Sequence, residues 1–549
     1  MAGHARRPAV VTPPFRRVLV ANRGEIALRI IRACHELGME AVAVYSDADA
    51  SAAHVRAADH AVRLGPPPAA ESYLRIDALV AAAFDLGAEA VHPGYGFLSE
   101  REAFARAVED AGLAWVGPPP AVIAALGDKL AARRIAREAD VPHVPGTLEP
   151  AVVDGPEQVA AILAAAREVG FPLLVKAAAG GGGRGMRRVV AAEDLVGALL
   201  AGSREAASAF GDGSVYLERE ILPARHVEVQ LLGDATGHVV AIGERDCSTQ
   251  RRHQKLIEEA PAPGLGETER RRLHAMAVRM GSAAGLRNAA TCEFLYDRDG
   301  AFWFLEVNTR LQVEHPVTEL VTGLDIVAEQ FHLAAGLPLS ARALAAADHA
   351  ARPTSHAIEI RISAEDPARL FAPAPGRITR WVMPSGPGIR VDTAVEAGDR
   401  IPSEYDPLIA KLIVHAEDRP AAIARLRRAL VEAEVAGIQT TLPFHRAMLG
   451  EPGFVDASAL ATTWVDTHWD GPAARAAAVR VAALAAGLAV MAGDGPDGGG
   501  AVEAGQEGAA PGDAGTSAHA STSGAAGNGG STAPWRTGGR AIAVDRWPA

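Results

Sequence analysis

Polar side chains occupy every second position from Glu306 to Glu314: Glu306, Asn308, Arg310, Gln312 and Glu314. Val307, Leu311 and Val313 fall between them. An extended chain turns the two sets to opposite faces. The polar face then offers cation ligands at one end, a guanidinium for an anion in the middle and a carboxylate base at the other. Just upstream, Asp299-Gly300 is a favoured two-residue hairpin turn. With that turn at the tip, Glu293 faces Glu306 across the hairpin, where like charges destabilise the pair. A divalent cation between the two removes the conflict, since carboxylates and phosphate oxygens form the usual Mg²⁺ shell. A shorter alternation, His226, Glu228 and Gln230, puts three polar groups on one side of a second strand. That pattern by itself reads as an edge strand.

Only four of the 54 lysines and arginines are lysine: Lys129, Lys176, Lys255 and Lys411. Arginine has taken over the surface-cation role, so a retained lysine marks a place that needs a compact, rotatable ammonium. Three of the four sit in motif-like surroundings: Gly127-Asp128-Lys129, Val175-Lys176, and Arg251-Arg252-His253-Gln254-Lys255. Lysine commonly binds phosphate as a point charge. Lys176 ends a strand-like run and precedes three alanines and the glycines Gly180, Gly181, Gly182 and Gly183. Such a loop can curl its amide N–H groups around an anion without side chains in the way. The lysine comes before the glycines, so the order is not that of a P-loop.

The elements that must carry these groups begin with a strand, helix, strand pattern from Arg17 to Ser46. Val18-Leu19-Val20 is a buried run, Ile26, Ile30, Cys34 and Leu37 form one helix face, and Gly38 stops that helix. Alternation through Val91 and Trp115-Val116 predicts a parallel α/β layer to about residue 125. A mixed region with the glycine loop follows to about Ser340, then short alternating strands such as His356–Ile362. The alanine-rich stretch from Gly471 to Met491 predicts a helix, and the Gly/Ala/Ser/Asp run from Gly493 predicts a disordered tail.

With 549 residues, 49% of them apolar, the chain has material for three or four domains. A net charge of −12 excludes a chain that binds nucleic acid through its overall charge. Cys34, Cys247 and Cys292 have no metal-ligand spacing, and so odd and sparse a set predicts a reducing compartment, the cytoplasm. No apolar run approaches the ~18–20 residues of a membrane span. The basic N-terminus is broken by Pro8, Pro13 and Pro14 and has no signal-peptide core.

Longer motifs carry a family resemblance. Ala21-Asn22-Arg23-Gly24-Glu25-Ile26-Ala27, His92-Pro93-Gly94-Tyr95-Gly96-Phe97-Leu98-Ser99-Glu100, Gly127-Asp128-Lys129, the run from Glu244 to Lys255, Glu306-Val307-Asn308-Thr309-Arg310 and the run from Gln312 to Glu319 resemble biotin carboxylase. The resemblance covers about residues 16–470. It implies a multidomain α/β and α+β fold. The parts are a flexible extension (1–15), a Rossmann-like domain (16–127), an ATP-grasp domain (128–345) with a lid at about 145–215, a C-terminal domain (346–470) and a low-complexity tail (471–549).

The resemblance also implies roles. Lys129, Lys176, Gly181, Gly182, Gly183, Glu218, His226 and His253 would hold ATP, with Lys255 on its phosphates. Glu293 and Glu306, with Asn308 close by, would carry Mg²⁺ or Mn²⁺; Arg310, Gln312 and Val313 would seat bicarbonate. Glu314 would deprotonate bicarbonate, Arg361 would stabilise the biotin enolate, and Tyr95 and Asp406 would border biotin. Two features depart from the family pattern. The loop after Lys176 begins Ala-Ala-Ala-Gly where many members have Ala-Ser-Gly-Gly, which puts the lid's suppleness in doubt. No lysine follows Lys411, so biotin cannot be attached in the tail. The expected partners are therefore a separate biotin carboxyl carrier protein and a carboxyltransferase subunit, in a homodimer that feeds an acetyl- or propionyl-CoA carboxylase. Two alternatives are another bicarbonate-activating ATP-grasp ligase and a catalytically silent assembly subunit. The first, as carbamoyl-phosphate synthase, would need a duplicated ATP-grasp half, and pyruvate carboxylase a long segment after residue 470. The second should have lost some of Lys176, Glu306, Arg310, Glu314 or Arg361, and all are present.

Overall fold

The apolar run at Val18–Val20 becomes the middle strand of a five-stranded parallel sheet. A computed structural model describes residues 14–151, 156–178 and 186–491. Gly181, Gly182 and Gly183, the first thirteen residues and the tail past Met491 lie outside the described residues. The parallel sheet has the order β3-β2-β1-β4-β5, with β1 Arg17–Val20, β2 Glu40–Ser46, β3 His60–Gly65, β4 Ala90–His92 and β5 Ala114–Trp115. The helix Gly24–Glu36 buries Ile26, Ile30 and Cys34 against it and ends where Gly38 takes φ +77°. Asn22, in the turn before that helix, donates to the carbonyls of Pro93 (2.7 Å) and Tyr95 (2.8 Å). Those two bonds hold the loop after β4 over the first turn.

A smaller antiparallel sheet follows in the order β7-β6-β8: β6 Leu173–Ala177, β7 Arg187–Val189 and β8 Val215–Arg219. With the helices Pro156–Val169 and Leu195–Phe210 it has its own core, which includes Leu173, Val175, Leu199 and Leu217.

The site rests on the third sheet, of eight antiparallel strands. Its order is β13-β12-β9-β10-β11-β14, then Leu408–Ala416 and Ile389–Thr393. Here β9 is Arg225–Gly233, β10 Val239–Arg251, β11 Gln254–Ala260, β12 Asn288–Tyr296, β13 Phe302–Asn308 and β14 His356–Ser363. Period-two alternation sorts its residues. Val227, Val229, Cys292 and Phe294 enter one core, and Ile257, Ile358, Ile360, Leu412 and Val414 another. Their neighbours Glu228, Glu293, Glu258, Glu359, Arg361 and Lys411 take the opposite face. Residues 345 and 346 lie in the helix Ala341–His349, and the sheet joins strands from both sides of them, β11 pairing with β14.

Three expectations need correction. β9 is an interior strand, not an edge, because both β12 and β10 pair with it and its polar residues are buried. The polar alternation does not run as one strand to Glu314: β13 ends at Asn308, and the helix His315–Thr322 begins directly after Glu314. Pro316 cannot serve a strand ladder but fits a helix's first turn, where its missing N–H has no partner to lose. The hairpin tip is also wider than two residues. Asp297 N donates to Ala301 O (3.0 Å), the Asp297 carboxylate takes the amides of Asp299 and Ala301, and Gly300 sits at φ +78°. A bulge at Leu305 absorbs the extra residue, and Glu293 still pairs with Glu306.

The chain divides into two compact units, one to Trp469 and one from Asp470. In the second, the helix Gly471–Met491 is described, as the alanine-rich stretch predicted. Among the described residues no helix is long and apolar enough to cross a membrane.

Candidate active site

Glu306, Glu293, Glu228 and Arg245 form one row across β13, β12, β9 and β10, each paired with the next in register. Three adjacent carboxylates repel unless cations offset them. Arg245, 0% exposed, does so from one end: Nε donates to Glu228 Oε1 (2.6 Å), Nη1 to Gln230 Oε1 (3.0 Å) and Thr318 Oγ1 (2.9 Å), and Nη2 to Thr291 Oγ1 (3.1 Å). Lys129 lies 3.4 Å from Glu306 at the other end. Between them the Lys255 ammonium bonds to Glu228, to Glu293 (3.0 Å) and to Glu314 (2.7 Å). His226 Nε2 lies 3.0 Å from the second oxygen of Glu293.

Glu314 closes the arrangement. Its carboxylate is fully buried, with Oε1 on Lys255 and Oε2 on Arg361 Nη2 (3.0 Å). Burial alone would raise its pKa, but Lys255, Arg361 and Arg245 outweigh that and hold the carboxyl well below the usual range. Burial would likewise strip the proton from Lys255, and Glu228, Glu293 and Glu314 instead hold it well above its ordinary value. Arg361 divides its guanidinium between Glu314 and Glu258. Glu258 is pushed up to about 7, first by burial, with Arg361 opposing. Cys247 donates weakly to Glu314 Oε1 (3.9 Å), and burial keeps its thiol protonated.

The loop 309–314 brings Arg310 and Gln312 to the same cavity by another route than a strand. Arg310 bonds through Nη1 to Gln312 Oε1 (3.0 Å), through Nη2 to Asn308 Oδ1 (3.1 Å) and through Nε to Glu100 (3.0 Å). Gln312 Nε2 (3.1 Å) and Asn308 Nδ2 (2.7 Å) both donate to Glu293 Oε1. Nearby, Lys176 donates to Glu218 Oε1 (2.6 Å), and Arg133 takes the other oxygen (2.8 Å). Those cations overcome the effect of burial and lower the Glu218 pKa.

One cavity of about 830 Å³ takes in these groups. Lys129, Lys176, Glu218, His226, His253 and Lys255 line it, as do Glu293, Glu306 and Asn308. Arg310, Gln312, Val313, Arg361, Tyr95 and Asp406 share its wall. Glu314 stands behind that wall, reached through Lys255 and Arg361. Of the loop glycines singled out in the sequence, Gly180, Gly181, Gly182 and Gly183 all fall outside the described residues. Among the described residues, the groups of three His, Cys, Asp or Glu side chains close enough to share a cation are His226/Glu228/Glu293 and Glu228/Cys247/Glu314. Glu306 belongs to neither, and its carboxylate is turned toward Lys129.

Comparison with known proteins decides the family. Residues 14–123 match the biotin carboxylase N-terminal domain, 128–342 the carbamoyl-phosphate synthase L chain ATP-binding domain and 359–467 the biotin carboxylase C-terminal domain. The chain belongs to the biotin carboxylase family. It is 48% identical to the biotin carboxylase of Pseudomonas aeruginosa over 438 residues, 80% of this chain and 95% of that one. It is 47% identical to the biotin-dependent acyl-coenzyme A carboxylase alpha3 subunit of Mycobacterium leprae, over 86% of this chain and 76% of that subunit. Among solved structures, the biotin carboxylase domain of Hydrogenobacter thermophilus 2-oxoglutarate carboxylase, a dimer with MgADP, ADP and bicarbonate, superposes with TM-score 0.77 at 43% identity. That match covers 83% of this chain and 98% of the domain. As a biotin carboxylase family member the chain has an ATP-grasp ligase region, and its mixed α/β architecture is that of the family.

The sequence assigned no site role to Arg245 or Glu258, and marked Glu228 only as part of an edge-like strand and Lys411 only as a retained lysine. Glu228 was visible in the His226–Gln230 alternation. Arg245 stands in the run from Glu244 to Lys255, but nothing in its spacing reveals that four acceptors from three other elements converge on it.

Proposed function

We propose that this protein uses ATP to join bicarbonate to biotin borne on a separate carrier chain, by way of carboxyphosphate. The observation that carries the reading is the chain Lys255–Glu314–Arg361: a buried, ionised carboxylate held between two cations beside a cavity that already gathers Lys129, Lys176 and Glu218.

In this reading Lys129, Lys176, Glu218, His226 and His253 hold the nucleotide, with Lys255 on its phosphates, and the Gly181–Gly183 amides complete the anion cradle. Arg310, Gln312 and the Val313 backbone seat bicarbonate. Glu314 takes the bicarbonate proton, and the freed oxygen attacks the γ-phosphorus as ADP leaves. Carboxyphosphate then breaks to CO₂ and phosphate, and phosphate takes the N1′ proton of biotin. Arg361 stabilises the enolate that attacks CO₂, with Tyr95 and Asp406 bordering the ring. Such chemistry is accelerated chiefly by positioning and fixed charge. Glu293, Glu306 and Asn308 offer the hard oxygen donors that suit Mg²⁺ or Mn²⁺. Bound there with the nucleotide, the ion would neutralise phosphate charge.

The domain limits we propose are 16–127, 128–345 with a lid at about 145–215, 346–470, and a tail from 471. None of residues 412–549 is a lysine, so none of them can carry biotin through a lysine side chain. The partners we infer are that carrier, a carboxyltransferase subunit and a second copy of this chain, all in the cytoplasm.

The test is ATP hydrolysis by the purified chain with Mg²⁺, with and without bicarbonate and free biotin. Bicarbonate-dependent turnover that biotin stimulates, with carboxybiotin formed, is expected. Turnover indifferent to biotin would shift the reading to another bicarbonate-activating ligase.

A further inference from the structure

Lys411 is the lysine that no motif explains. It lies on the strand Leu408–Ala416, in register with Arg361 on one side and Asp392 on the other. Its side chain is 0% exposed, yet lysine is almost never fully buried without a paired charge. Its ammonium donates to the Val313 carbonyl at 3.0 Å. It lies 3.1 Å from Glu25 Oε1 and 3.7 Å from Asp392 Oδ2, and 5.9 Å from the centre of the Tyr95 ring. Glu25 in turn accepts the Tyr95 hydroxyl. A single ammonium thus joins the start of the helix Gly24–Glu36, the Tyr95 loop and the 309–314 loop, three segments far apart in sequence.

We propose that Lys411 is a positioning residue that sets the bicarbonate loop, at Val313, and the biotin wall, at Tyr95, in one common geometry. The inference rests on the reading of those two segments given above. A charge-assisted bond to a backbone carbonyl fixes the loop where no side chain could. The same ammonium offsets the buried Glu25 carboxylate, whose second oxygen has no hydrogen-bond partner. Burial would remove the Lys411 proton, but Glu25, Asp392 and Glu359 keep its pKa raised. A chain that uses arginine nearly everywhere else keeps lysine here, where a guanidinium would have to enter a space that already holds Glu25, Asp392 and Tyr95. The two seats are therefore not independent: a shift of this one group moves both.

The experiment compares K411M with wild type, measuring thermal unfolding, ATP affinity and the KM values for ATP, bicarbonate and free biotin. Misplacement of reacting groups costs on the order of tenfold or more, so both the bicarbonate and the biotin KM should rise by about that factor. ATP affinity should stay within roughly twofold, since Lys411 contacts no proposed nucleotide residue. Should K411M fold poorly, E25Q/K411M removes the buried ammonium and its carboxylate together and carries the same expectation. Wild-type KM values for bicarbonate and biotin in a folded variant would overturn the proposal, as would an equal loss of ATP affinity. A wild-type chain whose ATP cleavage ignores both bicarbonate and biotin would overturn the catalytic reading and this inference with it. Dependence in wild type with no change in K411M would overturn this inference alone.

Discussion

Glu314 has one oxygen on Lys255 and the other on Arg361, so its basicity depends on how firmly those two cations hold it. Both face the cavity, where phosphate and biotin would compete for them. Glu314→Gln removes the proposed base while its near-equal size keeps the packing. ATP should still bind, and bicarbonate-dependent ATP cleavage should fall by about 10²–10⁴-fold, the usual worth of a positioned acid or base. Near-normal turnover in that variant would remove Glu314 from the role. Arg361 is read by a difference. Arg361→Ala should depress carboxybiotin formation more than biotin-independent ATP cleavage, because in the proposed sequence the enolate arises only in the second stage. Equal losses would place Arg361 in the first stage, as a holder of Glu314. Arg361 also touches Glu258, so some loss of both activities is expected from a carboxylate left buried without its partner.

Two hairpins show how far an element can be read from its residues. The β12–β13 pairing of Glu293 with Glu306 was legible although its stated cause, a two-residue turn at Asp299-Gly300, was not the one the fold uses. Asp297 widens the tip and the bulge at Leu305 restores the register, and neither is encoded in alternation. The gathering of polar groups from Glu306 to Glu314 was legible, but its second half comes from a loop and a helix start. Side chains that converge from a loop leave the same every-second-residue trace as a strand until Pro316 is weighed. The interior place of β9 was hidden because burial of His226, Glu228 and Gln230 depends on Lys255 and Arg245, which arrive from elsewhere in the chain. The β10–β11 hairpin yields a prediction. Its two tip residues, Arg252 at φ +46° and His253 at φ +65°, hold left-handed conformations that favour Asn and Gly. Each costs about 1–2 kcal/mol. Changing the pair to Asn-Gly should stabilise the protein by about 1–2 kcal/mol, a higher Tm, while loss of the His253 ring from the cavity wall should raise the KM for ATP. A stabilised variant with unchanged ATP kinetics would show that His253 does not hold nucleotide.

At the scale of the whole molecule, the eight-stranded sheet makes the ATP-binding region and the C-terminal region one mechanical piece. Glu258 and Glu259, adjacent on β11, serve opposite faces of that junction. Glu258 reaches Arg361 in the site, and Glu259 pairs with His356 at 2.8 Å and with Arg419 at 2.6 and 3.0 Å. Arg419 begins the helix Arg419–Glu432 and also donates to the carbonyls of Phe454 (2.8 Å) and Val455 (2.6 Å), so Glu259 anchors the C-terminal region to the central sheet. Burial raises the Glu259 pKa, but His356 and Arg419 overcome it and bring it down from 4.5 to about 2. A carboxyl whose folded value lies below its unfolded one stabilises the fold above the unfolded pKa, and that contribution fades as pH falls toward the folded one. That lowering corresponds to about 3 kcal/mol, held in full above about pH 5 and lost progressively between about pH 4.5 and 2. Glu259→Gln should therefore lower stability at pH 7 by about that amount. The gap between variant and wild type should narrow as denaturant unfolding is repeated at pH 5, 4 and 3. A gap that stays constant across that range would mean that Glu259 holds the junction through shape and hydrogen bonding, and not through its charge.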